Sequence, residues 1–391
     1  RAKSFNNSGY RVLGVAVKKT DKTDIVIKDE QEMTFLGMLT FEDPVKDDAA
    51  ESIEALSKQG VDLKIITGDS VIVARHMLQS ISGAIKGVMT GAELHRLSDH
   101  ALSHRINGIT LFAEIEPSQK ERIVRSLRAA GNVVGYLGDG INDALALHAA
   151  DVSISVDSAA DVAKQAADIV LMHHSLQVLS DGVEEGRRTF GNTLKYIFMA
   201  SSANFGNMFS MAGASLFLPF LPLLPKQVLM TNLLTDLSEM TIASDNVDRD
   251  LLAKPRHWNL KFIRQFMVVF GLLSSLFDYL TFGVLLLVLG ANMNQFRTGW
   301  FTESIISASM IVLVIRTRQP FYKSRPSKYL QWAIIGTTLL TLVLPYTALG
   351  YYLGLFPVPA AFYLWLGGIL LLYVLLAELV KKAFFRHVRG G

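Results

Sequence analysis

From about Tyr196 to the C-terminus the sequence repeats one pattern, long apolar runs divided by short polar or basic breaks. Runs of roughly twenty residues cross the hydrocarbon of a bilayer as helices. In lipid every backbone N–H and C=O must find its partner within the segment, and a helix does that. The second half is therefore read as an all-α membrane domain with six spans, at about 192–218, 227–243, 262–289, 300–315, 329–353 and 362–380. No such run occurs before about residue 190, and 391 residues leave room for two or more domains. The division expected is 1–30 as the end of one domain, 31–174 as an α/β domain and 175–391 as the membrane domain.

The charge pattern supports a membrane reading. A net charge of +3 invites a nucleic-acid partner, but the basic residues flank the spans, so none is expected. Arg249, Lys254, Arg256, Lys261 and Arg264 flank one connection; Arg316, Arg318, Lys323, Arg325 and Lys328 fill another; Lys381, Lys382, Arg386 and Arg389 fill the tail. The opposite turns offer only Lys226 and Arg297. Basic loops stay on the cytoplasmic side, which puts the α/β domain and the C-terminus there, in agreement with an even number of spans. The absence of cysteine excludes disulfides and thiolate metal sites within the chain. The chain opens in mid-pattern at Arg1, and an upstream portion is expected.

In the first half, apolar strands alternate with helical segments. Strands are expected at Tyr10–Val17, Met33–Phe41, Val61–Ile66, Thr110–Ala113, Val133–Leu137 and Val152–Val156, with helices over Val45–Gln59, Ser118–Ala130 and Ala144–Ala150. That alternation implies βαβ units and a parallel sheet. Residues 91–107 read as a polar excursion.

Three polar clusters then fall near the edge where open α/β sheets hold ligands. Thr67-Gly68-Asp69 ends one strand, Lys120 opens a helix, and Gly138-Asp139-Gly140-Ile141-Asn142-Asp143 ends another strand. Helix amides favour an anion, Lys120 adds positive charge, and Asp139 and Asp143 suit Mg²⁺, a hard cation that binds oxygen and is often shared with phosphate. Alone, each cluster is an ordinary turn, cap or solvated lysine. Together they describe a phosphoryl site.

Polar residues also interrupt the spans. Asn204 and Asn207 are three apart in the first; Asn232, Thr235, Asp236 and Glu239 share a face of the second. Oxygens on facing helices would hold a hard cation, whereas Asn and Ser also bond helices to one another. Asp278 and Glu303 lie in later spans, and Glu378 near an interface.

The set Asp43-Pro44-Val45-Lys46, Thr67-Gly68-Asp69, Pro117-Ser118-Gln119-Lys120 and Gly138 to Asp143 resembles the phosphorylation domain of P-type cation-transporting ATPases, members of the haloacid dehalogenase superfamily. The resemblance continues through Ala160 to Leu171 and covers nearly the whole chain. It implies a haloacid-dehalogenase-like sheet domain followed by a six-helix membrane bundle, with ATP and Mg²⁺ as cofactors. It also implies roles: Thr67, Gly68 and Asp69 at the phosphoryl group, Lys120 neutralising it, Asp139 on Mg²⁺, Asn142 and Asp143 completing the site, and Asp43 in a hinge to a nucleotide domain. The family's nucleophile, an aspartate in Asp-Lys-Thr-Gly-Thr, is absent. It is expected upstream, so this chain alone is expected not to form the aspartyl-phosphate.

Ser201 to Asn207, Leu218 to Pro222 and Lys254 to Trp258 look like the bacterial magnesium-transporting branch, which implies an inner-membrane protein carrying Mg²⁺. Calcium pumps have a glutamate where Asn207 stands. Thr235 and Glu239 depart from the magnesium branch, so a pump for calcium or a monovalent cation stands as the alternative. Alternatives of another class are a membrane-anchored phosphatase, which would need its own nucleophilic aspartate, and a non-catalytic membrane partner.

Overall fold

A computed structural model describes the chain except residues 1–4, 6–9, 21–23, 25, 42–44, 47, 83–84, 174, 249–251, 254, 256–257 and 389–391. Asp43, the expected hinge residue, lies outside the described residues. The chain divides into two compact units, Arg1–Val183 and Glu184–Gly391.

The first unit begins with an antiparallel pair, β1 (Arg11–Val17) and β2 (Thr34–Phe41), whose register shifts between Val15 and Ala16. The α/β body follows as α1 (Ala49–Lys58), β3 (Ile65–Ile66), α2 (Val71–Ser82), β4 (Val88–Thr90), α3 (Gly91–Arg96), α4 (Asp99–Arg105), β5 (Leu111–Ala113), α5 (Pro117–Ala129), β6 (Gly135–Leu137), α6 (Ala144–Ala149), β7 (Val152–Val156), α7 (Asp161–Ala166) and β8 (Ile169–Leu171). The strands pair in parallel, but as two three-stranded sheets, β3-β5-β4 and β6-β7-β8. Among the described residues β3 and β6 are each bonded on one side only.

One apolar core serves both sheets. Phe112, Ile123, Val124, Ala146 and Ala163 have no exposed surface, and Leu94, Leu102 and Ile106 close it. α5 contributes Ile123, Val124 and Leu127 from one face, the pattern that buries a helix on a sheet. The polar stretch after β4 is not irregular. α3 is started by a capping box in which Thr90 N donates to Glu93 Oε2 (2.8 Å) and Glu93 N donates to Thr90 Oγ1 (3.3 Å), and Ser98 caps α4. Val61–Lys64 stay outside β3, because the chain is still leaving α1 through Gly60 in the left-handed region (φ 74°) with Val61 N bonded back to Leu56 O.

The second unit is helical. α8 (Gln177–Ala214) is one unbroken 38-residue helix that begins in the first unit and continues here. It is followed by α9 (Pro225–Met240), α10 (Leu260–Gly283, prolonged by a π-helical turn at Val284–Val288), α11 (Met293–Ile315), α12 (Lys328–Val343), α13 (Ala348–Leu353) and α14 (Ala360–His387). Four of these are long and apolar enough to cross a membrane, Leu260–Val288, Met293–Ile315, Lys328–Tyr346 and Ala360–His387. α8 and α9 carry more polar residues.

Two spans differ from the sequence expectation for local reasons. α11 starts seven residues earlier than residue 300, because Asn292 caps it and Gln295 completes a capping box. The expected 329–353 helix is broken at Pro345, which removes a backbone donor. Thr347 then caps α13 by accepting from Gly350 N at 3.1 Å. α11 is the most buried helix, with Trp300, Phe301 and Ile305 at 1 % exposure or less, and it packs on α9, α10, α12 and α14.

A buried ionic knot ties α8, the segment after α9, and the α11–α12 connection together. Asp245 accepts from Lys195 Nζ (2.8 Å), from Arg316 Nη1 at both oxygens (2.9 and 3.2 Å) and from Ser327 N (3.0 Å). All three charged side chains are at most 5 % exposed.

Candidate functional site

The glycine-rich turn after β6 is built around Asp143. Leu137 pairs with Ile154 of β7, and Gly138 is fixed on both sides: its N–H donates to Ile154 O (3.1 Å) and its carbonyl accepts from Ser155 Oγ (2.8 Å). The chain then makes a 3-10 turn, Ile141–Asp143, that aims the Asp143 carboxylate inward. Lys120, in the first turn of α5, donates to Asp143 Oδ1 at 2.7 Å, as does the Tyr136 hydroxyl at 2.8 Å, while Gly140 N donates to Oδ2 at 3.1 Å. Burial opposes the charged form of Asp143, but the hydrogen bonds from Lys120, Tyr136 and Gly140, with the lysine's charge, outweigh it and hold the carboxyl below its ordinary range. Burial, and next the carboxylate of Asp143, push the Tyr136 hydroxyl up.

Gly138 is required by this packing. A Cβ there would lie 2.7 Å from Asp143 Cβ and 2.9 Å from Tyr136 Cε1. Gly138→Ala is expected to lower the stability of the first unit by about 1–3 kcal/mol, the usual cost of overpacking. The midpoint of its thermal unfolding checks this, and an unchanged midpoint would show that the turn yields.

Asp139 contrasts with Asp143. Its backbone carbonyl accepts from Ala160 N (3.0 Å), but its side chain is exposed and makes no hydrogen bond among the described residues. Asn142 is exposed as well. Asp143 is thus engaged at both oxygens as a counter-ion to Lys120, whereas Asp139 presents an open carboxylate. Mg²⁺ keeps several waters and takes one or two protein carboxylates with phosphate oxygens, and an exposed Asp139 fits that demand. No group of three or more His, Asp or Glu stands ready for a metal among the described residues.

Thr67 and Asp69 form a separate loop at the end of β3. Thr67 Oγ1 donates to Asp69 Oδ2 (3.0 Å) and accepts from Asp69 N (3.1 Å), while Thr67 N and O bond to Phe112 O and Ile115 N. Gly68 lies at the same turn, where an added Cβ would meet only Ile115 O at 3.7 Å. No hydrogen bond joins this loop to Lys120, Asp139 or Asp143 among the contacts described. Lys120 and Asp143 are therefore in direct contact, and Thr67 and Asp69 stand as a second group, bonded through the backbone to Phe112, Glu114 and Ile115.

The residues expected to hold a transported ion are not gathered into one shell. Asn204, Asn232 and Asp236 are exposed. Thr235 Oγ1 is turned back to Thr231 O and Asn232 O of its own helix, both at 3.0 Å. Asn207 Oδ1 accepts from Ser304 Oγ of α11 (3.1 Å), so it faces α11 rather than α9. Glu239 is buried. Sequence reasoning missed the Lys195–Asp245–Arg316 knot, because its members are 50 and 71 residues apart and no local spacing marks them.

Two family models match the chain, one for haloacid dehalogenase-like hydrolases over residues 10–151 and one described as cation transporting ATPase, C-terminus, over residues 220–383. The chain is 44 % identical over 395 residues to a protein of Salmonella typhimurium LT2 named magnesium-transporting ATPase, P-type 1, covering 98 % of this chain and 43 % of that one. Against the protein of the same name from Escherichia coli K12 the figures are 43 %, 98 % and 44 %. A calcium-transporting ATPase 1 of Bacillus cereus is 35 % identical over 66 % of this chain and 30 % of its own. The chain spans less than half the length of these relatives.

Proposed function

The chain belongs to the P-type cation-transporting ATPases, and from that premise we propose that it is the C-terminal part of a magnesium transporter of a bacterial inner membrane. The observation that carries the reading is the Lys120–Asp143 ion pair beside the open Asp139 carboxylate, in a chain 44 % identical to magnesium-transporting relatives.

In this reading Lys120, held by Asp143, presents positive charge to a transferring phosphoryl group, and the Thr67 hydroxyl with the loop amides orients its oxygens. Such preorganised charge and positioning carry most of phosphoryl-transfer catalysis. Asp139, with Asn142 beside it, would hold a Mg²⁺ that offsets phosphoryl charge when ATP reacts. The nucleophilic aspartate comes from an upstream segment. The two half-sheets support this: Thr67 and Asp139 follow the carboxyl ends of β3 and β6, each an edge strand of its half-sheet among the described residues, as β4 and β8 also are. A parallel strand from upstream, paired with both, would bring its own last residue between them.

The exposed Asn204, Asn232 and Asp236 support a further element of the reading. Polar groups facing hydrocarbon are costly, so helices supplied by the upstream part would cover them and complete an ion site with Asn207, Thr235 and Glu239. In this reading the first unit and the C-terminus lie in the cytoplasm, an orientation that the basic connections support, with lipid around the helices.

The test uses the full-length polypeptide in proteoliposomes with an entrapped magnesium-sensitive dye. ATP-dependent Mg²⁺ flux that is lost in Asp236→Asn is expected. Flux of calcium or a monovalent cation in its place would select the rival pumps, and ATP-independent phosphatase activity without flux would overturn transport altogether. The isolated chain is expected to take up no hydroxylamine-labile phosphate.

A further inference from the structure

Inside the helical unit two carboxyl side chains meet, one from α10 and one from α11. Asp278 is 2 % exposed and Glu303 1 %. Asp278 accepts at both oxygens, from Ser210 Oγ of α8 (2.5 Å) and from Trp300 Nε1 of α11 (2.9 Å). Glu303 stands one turn beyond Trp300, within hydrogen-bonding reach of Asp278 and of Ser307. Neither acid pairs with a Lys, Arg or His among the described residues.

Two charged carboxylates in contact, buried and without a counter-charge, carry a prohibitive cost. A cation is required between them. An ionised carboxylate only accepts hydrogen bonds, so the contact becomes attractive when one oxygen carries a proton. Asp278, with two donors from elsewhere, has the surroundings of the charged partner. One Glu303 oxygen, Oε2, is buried with no hydrogen-bond donor on it, which a neutral acid tolerates better than a carboxylate.

A second observation points into the same place. The Thr281 hydroxyl of α10 is fully buried without a partner, one turn from Asp278 on the same helix face. Ser202, Asn207, Ser274, Ser304 and Tyr373 share the lining of a mostly apolar cavity of ≈ 20 Å³ with Phe270, Ile311 and Ile315, room for about one water. Ser304 adjoins Glu303 in sequence, and Ser274 lies one turn before Asp278. A divalent metal is disfavoured by the donor count: Mg²⁺ wants six oxygens in near-octahedral array, and no third acid or histidine joins the pair among the described residues.

We propose that Asp278 and Glu303 form a proton-binding site in the interior of the helical unit, taking one proton between two carboxyls and excluding divalent cations. The groups around it are Ser210 from α8, Ser274, Tyr279 and Thr281 on α10, Trp300 and Ser307 from α11, and Tyr373 from α14. The ionisable ones among these are the two tyrosines, and neither supplies positive charge. The site shares no residue with the exposed Asn204, Asn232 and Asp236, and it does not depend on which ion is transported.

Infrared spectroscopy of the chain in lipid vesicles near neutral pH tests it, because a protonated carboxyl has a C=O band distinct from that of a carboxylate. The wild-type minus Glu303→Gln difference spectrum is expected to contain one such band, unaltered by saturating Mg²⁺. Asp278→Asn, which keeps the shape and gives Glu303 an amide partner, is expected to shift the band without removing it. Circular dichroism checks that both variants keep their helix content. A difference spectrum without the band, a band abolished by Mg²⁺, or a band unmoved in Asp278→Asn would each overturn the proposal. Should Glu303→Gln fail to fold, the Asp278→Asn shift and the Mg²⁺ titration decide it by themselves.

Discussion

Asp139→Ala in the full-length polypeptide is expected to slow ATP turnover by about 10²- to 10³-fold, the usual loss when one preorganised electrostatic group is removed from a site of this kind. Stability should hardly change, because the Asp139 side chain is exposed and makes no hydrogen bond among the described residues, and such surface substitutions stay within about 0.5 kcal/mol. Asp143→Ala gives the contrasting result. It strips Lys120 and Tyr136 of their shared acceptor, so both turnover and the unfolding midpoint should fall. Steady-state ATPase rates measured beside thermal unfolding separate the two. If Asp139→Ala retained wild-type turnover, the open carboxylate would have no part in the chemistry, and the reading of the turn would fail with it.

Local sequence carried much of this site. The run Gly138 to Asp143 reads as a turn between a strand and a helix because glycine, aspartate and asparagine punctuate two apolar segments. The folded turn adds the division of labour between its aspartates. That division depends on Tyr136 and Lys120, one before the turn and one 23 residues upstream of Asp143, and neither spacing announces the contact. The capping pairs Thr90–Glu93 and Asn292–Gln295 are written in the sequence, but a short polar stretch reads equally well as loop. Pairing was the hardest feature to foresee. Alternating strands and helices imply a parallel sheet, but strand order within two half-sheets depends on long-range contacts that periodicity does not encode.

In the helical unit, hydropathy located the helices and misjudged their ends. Apolar character fades before the helix does: α14 continues through Lys381, Lys382 and Arg386 to His387. Lys381 shows why. Its ammonium is 1 % exposed, donating to Val314 O (2.9 Å) and Gln319 O (2.7 Å) and paired with Glu378 at 2.8 Å. A residue counted from sequence as an interfacial charge is a buried helix-to-loop tie. Arg316 had the same fate. Basic residues at span ends thus report two things that composition alone does not separate, orientation toward the cytoplasm and ionic closure of the bundle.

The second large effect belongs to that closure. Asp245→Ala leaves Lys195 and Arg316, 5 % and 1 % exposed at their side chains, without the carboxylate that both contact. Removing one member of a buried ion pair costs about 3–5 kcal/mol, because the remaining charge is left uncompensated. Here two cations also repel each other across the gap. The Ser327 amide loses its acceptor too, which loosens the cap of α12. The expected outcome is a large fall in the unfolding midpoint of the helical unit in detergent or lipid, with Asp245→Asn intermediate because it keeps an acceptor oxygen. Removing the charges together tests the mechanism. In the triple variant Lys195→Met, Asp245→Leu and Arg316→Met, much of the loss should return, since replacing a whole buried ionic group with apolar residues is often neutral. If the triple variant were no more stable than Asp245→Ala, the knot would matter through its hydrogen bond to the Ser327 amide rather than through charge balance.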